Sequence, residues 1–90
     1  GIFDSSTDSN NLVYYPNPVN ENLNILLQEP TSLEYEVEIY SMNGAKELSR
    51  QIIPSENNSL TIKLTDLSAG VYILRMTDKN VTKSFKFVKD

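Results

Sequence analysis

Carboxylates and basic side chains are the only groups in this 90-residue chain that could hold or move charge near neutral pH, because it contains no histidine and no cysteine. That absence removes thiolate nucleophiles, Ser-His-Asp triads and the usual zinc or transition-metal ligand sets. The acids cluster in two places, Asp4 with Asp8 and Glu34 with Glu36 and Glu38. Either cluster could offer oxygens to Ca²⁺, but neither sits in a loop with the dense alternating ligands that a calcium cage needs. A paired-carboxylate glycosidase needs a deep cleft between its two acids, and a small chain of short strands offers none by pattern. The chemistry these residues point to is binding: no enzyme activity, no cofactor and no metal are expected.

Charge is polarised along the chain. Residues 1–45 carry seven acids and no Lys or Arg, whereas residues 46–90 carry all eight bases against five acids, for a net charge of −4. Half of the bases, Lys79, Lys83, Lys86 and Lys89, fall in the last twelve residues. One reading is that acidic and basic strands pair across a sheet. The other is a basic C-terminal edge, Lys83, Lys86 and Lys89, offered to a partner. Four lysines without an interleaved array of Arg and aromatics, on an acidic chain, argue against nucleic acid as that partner. No apolar run is long enough for a bilayer, so direct membrane insertion is not expected either.

The elements that must position these residues are strands. Residues 4–11 (Asp-Ser-Ser-Thr-Asp-Ser-Asn-Asn) are polar and read as a linker, so residues 1–11 are expected to join an upstream domain to a single folded unit at 12–90. Residues 12–15 form a first strand, stopped by Pro16-Asn17-Pro18, which places this segment at a sheet edge or a crossover. Residues 22–27 alternate Leu23, Ile25 and Leu27 against polar neighbours, and residues 35–41 alternate more cleanly, with Tyr35, Val37 and Ile39 inward and Glu36, Glu38 and Tyr40 outward. Asn43-Gly44 predicts a type I′ hairpin with both residues at positive φ. Strands over about 46–53, 60–65, 71–77 and 81–88 follow, the last two joined by a turn in which Asn80 is the residue best suited to the left-handed region.

The densest information lies in residues 66–76. Ser68-Ala69-Gly70 reads as a tight turn with Gly70 at positive φ and Asp66 bonding backbone N–H groups just after itself. Tyr72 then fits a tyrosine corner, in which the phenol pins the preceding loop of an Ig-like sandwich, and Leu74 takes the place of a core Cys. Tyr72, Leu74 and Met76 share one face, with Val71, Ile73 and Arg75 on the other, so this strand belongs mid-sheet. Val81, Phe85 and Phe87 share a face of the last strand, interrupted by Lys83. Seven short strands without a helical period predict an all-β, Ig-like antiparallel β-sandwich.

Four blocks occur in order along the chain: Tyr15-Pro16-Asn17-Pro18 with Asn22-Leu23-Asn24-Ile25, Val37-Glu38-Ile39-Tyr40-Ser41-Met42-Asn43-Gly44, Leu67-Ser68-Ala69-Gly70-Val71-Tyr72, and Lys83-Ser84-Phe85-Lys86-Phe87-Val88-Lys89. On these blocks the chain, from about Tyr14 to Asp90, resembles the C-terminal sorting domains of type IX secretion cargo, the Por secretion tail family. It departs from the family pattern in ending on Asp90 instead of a basic residue. The resemblance implies a sorting signal recognised in the periplasm by the type IX translocon and its shuttle proteins. It also implies transfer of a covalently linked cargo to the cell surface or medium, and removal of the domain by a sortase-like peptidase cutting in the linker. Pro16, Asn17, Pro18, Gly70, Tyr72, Lys83, Lys86 and Lys89 are the candidate recognition residues. Two further possibilities stay open: pairing of two copies through exposed strand edges, and an alternative identity as a fibronectin-like or carbohydrate-binding accessory module, for which Tyr14, Tyr15 and Tyr40 would supply the aromatic surface.

Overall fold

The computed structural model describes residues 6–7, 13–16, 18–27, 34–79 and 81–90. The chain order is β1 (Ser6–Thr7), β2 (Val13–Tyr15), β3 (Asn22–Leu26), β4 (Tyr35–Ser41), β5 (Lys46–Ile52), β6 (Ser59–Lys63), β7 (Gly70–Asp78) and β8 (Val81–Lys89). One sheet runs β1-β2-β3-β6 and the other β5-β4-β7-β8, with antiparallel pairing between neighbours. Because β1 has only two residues, the sandwich proper has the seven strands that the sequence predicts, and they divide as three facing four. Ser6 and Thr7 lie in the expected linker, where they pair with Tyr14 and Val13. The rest of that segment lies outside the described residues.

The core forms where the inward sets of the two sheets meet: Leu23 and Ile25 from β3, Leu60 and Ile62 from β6, Val37 and Ile39 from β4, Leu74 and Met76 from β7, Phe85 and Phe87 from β8. Period-2 alternation puts these residues on one side of each strand, and burying them is the main favourable term in folding. β7 is an inner strand between β4 and β8, which explains why its outward positions Val71 and Ile73 are also apolar.

The two prolines end β2 by withholding backbone donors, and the chain then changes sheets. The Tyr15-Pro16 peptide is cis, and Val19 forms an isolated parallel bridge to Lys89 of the opposite sheet. Val19 N–H donates to Val88 O at 2.8 Å and Asp90 N–H donates to Val19 O at 2.8 Å. Of the two placements expected for the proline segment, a sheet edge or a crossover, the chain takes the crossover, and Val19 closes the outer edge of β8 at its C-terminal end.

Two of the turns differ from expectation. At Asn43-Gly44 only Gly44 has positive φ, 90°. Ser41 O accepts from Gly44 N–H, and Ser41 N–H donates to Ala45 O, each at 2.9 Å. These bonds, with a register irregularity between Ile39 and Tyr40, make a three-residue loop whose extra residue is absorbed as a bulge, not a two-residue type I′ turn. In the β7–β8 turn Lys79 has φ 52°, since pairing of Asp78 with Val81 leaves a two-residue loop whose first position needs φ above zero; the expectation for Asn80 falls on a residue outside the described ones. Gly70 does not have positive φ: it is already in register with Lys89 as the first residue of β7, so extended geometry suits it.

Candidate functional site

The turn before β7 positions the first group of candidate residues. Leu67 N–H donates to Leu64 O at 3.0 Å, and the Tyr72 phenol reaches back four residues to donate to Ser68 O at 2.7 Å. This is the tyrosine corner read from the sequence. Asp66 is exposed and has no part in closing the loop, so the expected side-chain turn is replaced by a backbone bond and a phenol. The Tyr72 ring stacks on Phe87, centroids 5.8 Å apart, and a methyl group at Gly70 would meet that same ring at 3.7 Å, an ordinary contact. Gly70 therefore serves neither strain nor a close approach.

Pro16, Pro18, Gly70, Tyr72 and Lys89 gather at one end of the sandwich, because Val19 pairs with Lys89, which pairs with Gly70, while Tyr72 pairs with Phe87. Pro16 is half-buried and Pro18 exposed; Asn17 lies outside the described residues. The three lysines do not form one edge. Lys86 points outward and is exposed, whereas Lys83 lies on the inner side opposite Met76 and is half-buried. Lys89 is only 9% exposed and its Nζ donates to Asp90 O at 3.1 Å. The expectation of a basic C-terminal edge formed by all three is corrected most clearly at Lys89, whose inward parity places its aliphatic stem over the end of the core. Val81 shares that parity but projects beyond the core and is exposed.

Tyr14 stacks on Phe85, 4.4 Å between centroids and 16° between planes, and its hydroxyl donates to Lys86 O at 3.1 Å. It is a core residue, unavailable to any surface ligand. Together with Val19 it occupies outward-facing backbone groups of the C-terminal half of β8.

The outer face of the four-stranded sheet holds a constellation that sequence reasoning missed. Glu38 Oε1 accepts from Arg75 Nη2 at 2.7 Å and Nε at 3.1 Å, and Oε2 meets Lys46 Nζ at 2.8 Å. The Arg75 guanidinium lies 5.6 Å from the centroid of the Tyr40 ring. Although Glu38 points away from the core, these neighbours leave it 5% exposed. The hydrogen bonds from Lys46 and Arg75 hold its carboxyl down to about 2, and Glu38 in turn raises both basic groups. Acidic β4 therefore does pair with basic residues of β5 and β7, the first of the two readings of the charge polarity, but Lys86 makes no ion pair among the described residues. The alternation of β4 with β7 was the signal: Glu38 and Arg75 are both outward in strands that sit side by side.

A family model described as the secretion system C-terminal sorting domain matches residues 13–90. The comparison with curated proteins gives no match.

Proposed function

The chain belongs to the family of secretion system C-terminal sorting domains, a type IX secretion signal, and from that premise we propose how it works. A protein linked upstream of residue 12 is carried through the periplasm and across the outer membrane by the type IX translocon and its shuttle proteins, which read this folded sandwich. A sortase-like peptidase then cuts ahead of β2, and the cargo remains at the surface or passes to the medium. The observation that carries this reading is the extent of the family match, which takes in every strand from β2 to β8. The domain acts as an address and not as a catalyst. Commitment of Tyr14 to the core weakens the carbohydrate-module alternative by removing one of its three tyrosines.

Fusing the 90-residue chain behind a folded reporter with a secretory leader tests it. The reporter is expected at the surface or in the medium of a host with type IX machinery, and inside the cell when the translocon is deleted. Mass spectrometry of the exported reporter is expected to place its new C-terminus ahead of β2. Equal export from both strains would sink the assignment.

A further inference from the structure

Asn43-Gly44 is the single Asn-Gly step in the chain, and it stands in the β4–β5 hairpin. An asparagine followed by glycine is the pair most open to attack of a backbone nitrogen on a side-chain amide, because no Cβ on the second residue blocks the approach. Solvent reaches this pair: Asn43, Gly44 and Ala45 are exposed, and a methyl group added to Gly44 would meet nothing within 4 Å. Hydrogen bonds, and not burial, therefore decide its reactivity. Gly44 N–H donates to Ser41 O at 2.9 Å, so the nucleophilic nitrogen holds its proton inside the turn. Asn43 Oδ1 accepts from Ser41 Oγ and, at 3.4 Å, from Ala45 N–H, which fixes the side-chain amide in place.

We propose that Asn43 is a deamidation site that the folded hairpin keeps closed and that opens whenever the β4–β5 turn comes apart. The inference is independent of the sorting function. In the reaction a base takes the Gly44 N–H proton and the nitrogen attacks Asn43 Cγ. The bond from Gly44 N to that carbon forms, the bond from the carbon to Nδ2 breaks, and ammonia leaves a succinimide ring behind. Water then opens the ring. Cleavage between Gly44 N and the side-chain carbon leaves an aspartyl residue, and cleavage between Gly44 N and the backbone carbonyl carbon leaves an isoaspartyl linkage. The fold opposes the first step twice. The proton to be lost is engaged by Ser41 O, and the amide carbon cannot swing onto Gly44 N without giving up the bonds at Oδ1. Those two donors also draw electrons from the amide carbon, but a polarised carbon does not react with a nitrogen that keeps its proton. The isoaspartyl product has one more backbone atom between Ser41 and Ala45 and a new negative charge. The loop has to place Gly44 N–H on Ser41 O and Ser41 N–H on Ala45 O at once, and a longer backbone displaces both. A chain left unfolded thus acquires a lesion that disfavours closing the hairpin between Tyr35–Ser41 and Lys46–Ile52, while a chain that folds promptly escapes it.

Incubating the 90-residue chain at mildly alkaline pH, folded in buffer or unfolded in guanidinium chloride, tests this. Peptide mapping by mass spectrometry reads amide loss at position 43, and enzymatic methylation reads isoaspartate. A synthetic peptide covering residues 37–48, incubated in both solvents, corrects for the denaturant. Deamidation at position 43 is expected to be about tenfold or more slower in the folded chain than in the unfolded one, because only the locally opened hairpin reacts. Ser41→Ala removes one donor to Oδ1 and leaves the backbone bond from Gly44 N–H in place. Its folded rate is expected to rise part of the way toward the unfolded rate, with the unfolded rate unchanged. Should that variant fail to fold, the two rates of the parent are the readout. Chains carrying isoaspartate at position 43, separated by ion exchange, are expected to melt at a lower temperature than unmodified chains. A folded rate equal to or above the unfolded one overturns the proposal, as does amide loss in the unfolded chain that shows no preference for position 43. A folded Ser41→Ala rate equal to the parent's overturns the part assigned to the bonds at Oδ1.

Discussion

The two halves of β8 are made of similar residues and treated differently by the rest of the fold. In the C-terminal half Phe85 and Phe87 fill the core, Tyr14 donates to Lys86 O, and Val19 bonds both Val88 and Asp90. In the N-terminal half Val81 and Thr82 are exposed and Lys83 is only half-buried, although backbone pairing with β7 continues to Asp78 and Val81. Strand pairing alone therefore does not bury a strand end. What distinguishes the halves is β2 and the segment that follows it, whose Tyr14 and Val19 cover edge groups of one half that would otherwise face solvent.

The largest expected effect would break this comparison if it failed. Phe87→Ala removes a ring that is 1% exposed and should cost about 3–5 kcal/mol, a large part of the stability of a domain this size. Val81→Ala in the other half should cost under about 0.5 kcal/mol. Urea unfolding of both variants measures the contrast, and equal midpoints would mean that β8 is uniform.

Smaller changes sharpen the picture at the anchoring hydroxyls. Tyr14→Phe and Tyr72→Phe each delete one donor to a backbone carbonyl while keeping the stacked ring, and each should cost about 1 kcal/mol. Amide exchange distinguishes the two: Tyr14→Phe should speed exchange toward the C-terminal end of β8, and Tyr72→Phe in the loop from Leu64 to Gly70. A pattern spread evenly over the molecule would indicate that neither tyrosine acts locally.

The Glu38 cluster lies beside the less anchored half, since Arg75 pairs with Ser84 as well as Glu38. Its folded carboxyl is lowered to about 2, below the usual unfolded value of about 4.3. The stabilisation it contributes is thus fully present above the unfolded value and is lost as pH falls from there through the folded one. Thermal melts of the parent should decline across that window more steeply than those of Glu38→Gln. Parallel pH profiles would show that the pair adds nothing. The smallest effect belongs to Gly70→Ala, which should shift stability by under about 0.5 kcal/mol because no positive φ has to be maintained and the added methyl meets Tyr72 at an ordinary distance.

Much of this was legible in the chain because the relevant physics is local. Alternation located most of the strands, the Asn43-Gly44 hairpin signal added β5, and two prolines bounded β2 and marked a sheet edge or crossover because a missing N–H is a property of the residue itself. The Tyr72 corner was readable for the same reason, its acceptor Ser68 being four residues away. The turn at Gly70 was misread because a glycine after Ser-Ala fits both a left-handed turn and the start of a strand; pairing with Lys89 decides between them, and that contact is distant in sequence. The lysines show the same limit. Strand alternation puts Lys83 and Lys89 on one face and Lys86 on the other, but burial of Lys89 depends on how far the opposite sheet extends over it. The outer-face constellation required knowing that β4 and β7 are neighbours, which no local pattern states.

The parallel bridge at Val19 has a mechanical consequence. An upstream protein would tug on this domain through β2, toward the N-terminal direction, while anything gripping the C-terminal strand would hold against it. Parallel strands pulled at opposite ends slide past one another, so the bonds Val19 N–H to Val88 O and Asp90 N–H to Val19 O carry load together instead of opening one after the other like a zipper. A load applied between residue 13 and residue 90 meets β2 and its core residue Tyr14 from one side and this clasp from the other, so both ends of the load path are held by contacts that must shear.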